Sequence, residues 1–68
     1  MERDELLEDR AAFIAGEIGG AVVELIIEGV VMDRDSIVDK LEAKRRNVGN
    51  VIHKGLLRDA AEMVRKGK

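Results

Sequence analysis

Few side chains in this chain have the type and spacing for chemistry. His53 is the single imidazole and stands next to Lys54. An imidazole can accept a proton near neutral pH, but with no nucleophile in sequence reach His53 reads as a partly exposed residue at a helix start. Glu17 and Glu24, seven residues apart, can share a helix face. Paired carboxylates do acid–base work only where a pocket separates their pKa values, so they read as a solvated flank or as one half of ion pairs. Ser36 has no base beside it. Gly16, Gly19 and Gly20 follow no strand and match no phosphate-binding loop. There is no cysteine, so disulfide, thiolate and cysteine-rich zinc chemistry are excluded. The residues point away from an enzyme and imply no cofactor and no metal.

Charge is the more informative feature. The net of −2 conceals a gradient: residues 1–29 carry −6, residues 30–43 carry −2, and residues 44–68 carry +6. One consequence is attraction between the two ends, within a chain or between chains. A second is a basic surface of Lys44, Arg45, Arg46, Lys54 and Arg58 facing phosphates or an acidic protein. With Phe13 as its only aromatic residue, the chain lacks stacking platforms for single strands. Duplex DNA remains compatible with two short helices joined by a turn.

The elements that position these groups are helical. Leu7, Ala11, Ile14, Ile18, Ala21 and Leu25 recur at alternating spacings of four and three residues, a heptad seam. Phe13, Val22 and Ile26 broaden it toward globular packing. The spacing predicts a first helix from about Asp4 to Glu28, continuous through its glycines rather than broken near Gly19. Ala12, Gly16 and Gly20, four residues apart, form a stripe where another helix can approach. Gly29 suits the position just past a helix end, with Val30 folding back on Leu25. In "GVVMDRDSIVDKLE", Asp33 is an N-cap, and Met32 and Ile37 occupy the two positions of a hydrophobic staple. A second helix follows from Arg34 to about Arg46. Asn47, Gly49 and Asn50 mark a turn, and a third helix runs from Val51 to near Lys66.

Residues 1–68 thus read as a single all-α domain: a long first helix and two shorter ones. A chain this short usually needs a staple or a partner to bury enough apolar surface. The expectation is a homodimer in which Leu7, Ile14, Ile18 and Leu25 of the first helix supply the interface. The acidic start lacks the basic then apolar pattern of a signal peptide. The richest apolar stretch, residues 21–32, is interrupted by Glu24 and Glu28 and is too short to span a bilayer. A cytoplasmic protein with no membrane contact is expected.

The pattern Gly19-x-x-Val22-x-Glu24-x-x-x-x-Gly29, then Met32-Asp33-Arg34-x-Ser36-Ile37 and Lys40-Leu41, resembles the small biofilm and acid-resistance regulators of the YmgB/AriR/YcgZ type. The resemblance covers about residues 14–64. It implies a short helical dimer that acts as a connector feeding the Rcs two-component phosphorelay and influences biofilm and acid-stress genes. A regulatory or signalling protein would be the partner, and duplex DNA the alternative. The family implies no active site, and fumarase D, a second group sharing the Gly19–Gly29 spacing, transfers no hydratase chemistry to these residues.

Overall fold

The computed structural model describes residues 2–67, with side chains described from residue 9. Three helices make up the order: α1 (Glu2–Glu28), α2 (Arg34–Asn47) and α3 (Val51–Lys66), with no strand among the described residues. The second and third form a hairpin that packs on one side of the first. No helix among them is long and apolar enough to cross a membrane. α1 runs unbroken through Gly16, Gly19 and Gly20.

The two corners are fixed by backbone chemistry legible in the sequence. Gly29 adopts φ 72°, the left-handed region where a side chain is strained. That turn lets the Gly29 amide donate to the Ile26 carbonyl at 3.2 Å and the Val30 amide to the Leu25 carbonyl at 3.1 Å. Two carbonyls at the end of α1 are thereby satisfied. Asp33 Oδ1 then accepts from the Ser36 amide at 2.8 Å, capping α2. At the second corner Asn50 does more than turn the chain: its side-chain oxygen accepts from the His53 amide at 3.0 Å and caps α3.

The core lies where the three helices meet. Ile14 and Ala21 of α1, Val38 and Leu41 of α2, and Leu57, Ala60 and Ala61 of α3 form one buried cluster. Ile18, Ile37, Val48, Leu56 and Val64 pack around it. Ala21, Ala60 and Ala61 are completely buried, so small side chains bring the helix backbones close, and Leu41 and Leu57 fill the remaining space. Two of the residues expected between chains are buried within the single chain. Ile14 and Leu25 are only 5% and 3% exposed, because α2 and α3 of the same chain cover that stripe. Ile18 is half-buried, and the side chain of Leu7 lies outside the described residues.

Two predictions follow from this packing. Leu41→Ala removes a fully buried side chain at a cost of about 2–5 kcal/mol. A chain of this size has only about 3–10 kcal/mol in total, so the variant should lose most of its cooperative melting transition by circular dichroism. Gly29→Ala should cost about 1–2 kcal/mol through backbone strain and lower the melting temperature by about 4–8 °C per kcal/mol. Gly49→Ala, where an added methyl meets open space, should melt like the parent.

Candidate interaction surface

One flank of α1 carries Arg10, Glu17, Glu24 and Glu28, which return to the same side of the helix at spacings of seven, seven and four. Each meets a charged or hydrogen-bonding partner from the hairpin. Arg10 pairs with Asp59, and His53 Nε2 lies 2.7 Å from Glu17 Oε1. Lys44 Nζ lies 2.6 Å from a Glu24 oxygen, and Lys40 pairs with Glu28. The acidic-to-basic gradient is therefore used within the chain, as rungs between α1 and the hairpin. Exposed pairs of this kind contribute little individually, but together they fix which side of α1 the hairpin covers. Lys44 reaches Glu24 over Gly20, where an added Cβ would sit 3.4 Å from its ammonium nitrogen.

The rungs set the local titration. The Lys44 hydrogen bond holds the Glu24 carboxyl below its ordinary value. The Ser36 amide does the same for Asp33, and Lys66 for Glu62. The Glu28 hydrogen bond holds the Lys40 ammonium above its ordinary value.

Three of the five basic residues expected to form a contact surface have acidic neighbours within the chain. Lys44 turns to α1, Arg45 lies 3.4 Å from Glu42, and Arg58 lies 3.3 Å from Asp59. Consecutive helix positions point about 100° apart, so Lys44, Arg45 and Arg46 fan out around α2. Arg46 is exposed and Lys54 half-buried, and neither has an ion pair among the described residues.

Beside the Glu17–His53 rung lies an open groove of about 720 Å³. Its apolar lining is Phe13 of α1 with Ile52 and Leu56 of α3, rimmed by Arg10, Glu17, Asn50 and His53. Phe13 and Ile52 are 62% and 77% exposed, high values for large apolar side chains. The sequence offers a signal for Phe13 as the only aromatic residue. It offers none for the groove, whose walls are about 40 residues apart in the chain.

Glu17 and His53 make a carboxylate–imidazole pair in which the ring nitrogen donates and the carboxylate accepts. In a hydrolase such a pair would activate a hydroxyl or thiol. Ser36 instead lines a separate hollow with Leu25, Val30 and Lys40 at the start of α2, and the chain has no cysteine. No group of three or more metal-ligating side chains is present among the described residues. The arrangement suits contact, with an apolar floor and a charged rim. No protein-family model matches the chain, and no curated protein or solved structure matches it.

The lowered carboxyls set an acid limit. A carboxyl whose folded pKa lies below its unfolded value stabilises the fold fully above the unfolded value, and that contribution is lost as pH falls through the folded one. Thermal melting should be nearly constant from pH 7 to about 5 and should decline below about pH 4. Asp33→Asn, which still caps α2, should weaken that decline, whereas a melting temperature unchanged down to about pH 2 would contradict the assignment.

Proposed function

We propose that this is a small non-enzymatic regulatory protein that works by binding other proteins, including a second copy of itself. The observation that supports this reading best is the open apolar groove of Phe13, Ile52 and Leu56 beside the Glu17–His53 pair. Exposed aromatic and aliphatic anchors in a concave surface with a polar rim are what protein contacts use. The groove has room for one or two apolar side chains of a partner, and its rim of both charges favours a partner with polar groups at the edge. The resemblance carried by Gly19–Gly29 and Met32–Leu41 adds the biological setting: a cytoplasmic connector to a two-component phosphorelay controlling biofilm or acid-stress genes.

Duplex DNA binding is the second reading. Arg46 and Lys54, which have no charged partner among the described residues, favour it, as does the helix–turn–helix order of α2 and α3. The engagement of Lys44, Arg45 and Arg58 with acidic neighbours favours the protein contact instead.

The two are separated by binding to mixed-sequence duplex DNA at roughly 50 and 200 mM salt, a range over which phosphate contacts weaken steeply. The protein reading predicts no salt-sensitive binding. Tight binding at the lower salt, abolished by Arg45→Glu with Arg46→Glu, would replace it with the DNA reading. In parallel, a protein retained from lysate by the parent chain should be lost with Phe13→Glu. Equal retention by that variant would remove the groove from the account.

A further inference from the structure

Between Arg10 and Glu28 the only charged residues of α1 are Glu17 and Glu24, and His53 and Lys44 draw both toward the hairpin. The opposite side of α1 is therefore without charge for more than four turns. Along it lie Ala12, Gly16, Gly19, Val23, Ile26 and Ile27, all exposed. Val23, Ile26 and Ile27 are 54%, 60% and 78% exposed. An apolar helix face is ordinarily covered, and the hairpin covers only the opposite side of α1. Added methyls at Gly16 and Gly19 would meet nothing within 4 Å among the described residues, yet each glycine costs about 0.8–1 kcal/mol relative to alanine.

We propose that this outward face binds a second copy of the chain, the two α1 helices lying antiparallel about a two-fold axis beside Gly19. The inference rests on the protein-contact reading and names the surface and geometry of self-association. The order of side chains selects the occupant. The N-terminal half of the face is small (Ala12, Gly16, Gly19) and the C-terminal half bulky (Val23, Ile26, Ile27). An antiparallel pair sets each small half against a bulky half, Gly16 facing Val23 and Ala12 facing Ile27, and is self-complementary as a two-fold interface requires. A parallel pair would leave a gap at one end and crowd isoleucines at the other.

Sedimentation of the full chain tests the proposal, with circular dichroism confirming that each variant stays helical. The parent should be a dimer at tens of micromolar. Val23→Glu or Ile27→Glu, both at exposed positions, should weaken association by roughly a hundredfold or more. Gly16→Leu should strengthen the helix, since leucine is the better helix former, while weakening the dimer by filling the space meant for Val23. Because the chain has no cysteine, orientation can be read by mixing Ala12→Cys and Ile27→Cys chains under oxidation, which should give the mixed cross-link. A cross-link of Ala12→Cys to itself in preference would overturn the antiparallel arrangement. A dimer that survives Val23→Glu and Ile27→Glu but dissociates with Phe13→Glu and Ile52→Glu would overturn this face and leave the protein-contact reading standing. A parent chain that stays monomeric at about 100 μM would overturn the proposal and the homodimer with it.

Discussion

A single long helix has to be held by two short ones, and everything else in the molecule follows from that constraint. α1 has 27 residues, while α2 and α3 have 14 and 16. A hairpin of that size can cover one side of α1, and it does so through Leu41 and Leu57 against Ile14, Ala21 and the stripe around them. With so few large side chains inside, the core depends on close approach at Ala21, Ala60 and Ala61. Any change that spreads the helices there loses dispersion contacts all along the crossing.

The charges serve the same constraint. A helix with apolar residues on most of its surface has no single side that hydrophobicity alone would turn inward. Arg10, Glu17, Glu24 and Glu28 remove that ambiguity, because each is paired with the hairpin only when one side of α1 faces in. Weak pairs at the surface can thus set orientation even where they add little stability. The caps act in the same sense: Gly29 with Asp33, and Asn50, fix where each helix stops and starts and so the angle at which the hairpin meets α1.

Much of this architecture was legible in the sequence. Helical periodicity, the Gly29 and Asp33 signals and the absence of proline gave three helices with ends within about two residues of those observed. Local rules suffice there, since caps and periodicity involve neighbours in the chain. Which apolar residues face inward was not legible. Ile14 and Leu25 read as contacts between chains and are core residues within one, because a period of 3.6 identifies a face without saying what covers it. Phe13 and Ile26 read as part of the same broad face and are exposed. The Glu17–His53 rung lies 36 residues apart in sequence, and no local pattern announces such a contact. The basic residues looked like one surface when read along the chain, yet helix geometry separates Lys44 from Arg45 and gives each its own acidic neighbour.

The outward face of α1 stays uncovered after folding, and a second copy covering it is the central claim. Intermolecular nuclear Overhauser effects in a mixture of isotope-labelled and unlabelled chains measure this most directly. The account predicts contacts from the Ala12 methyl of one chain to the Val23 and Ile27 methyls of the other, placed symmetrically about Gly19. Intermolecular contacts confined to Phe13 and Ile52, or none at a concentration where the chain sediments as a dimer, would contradict it.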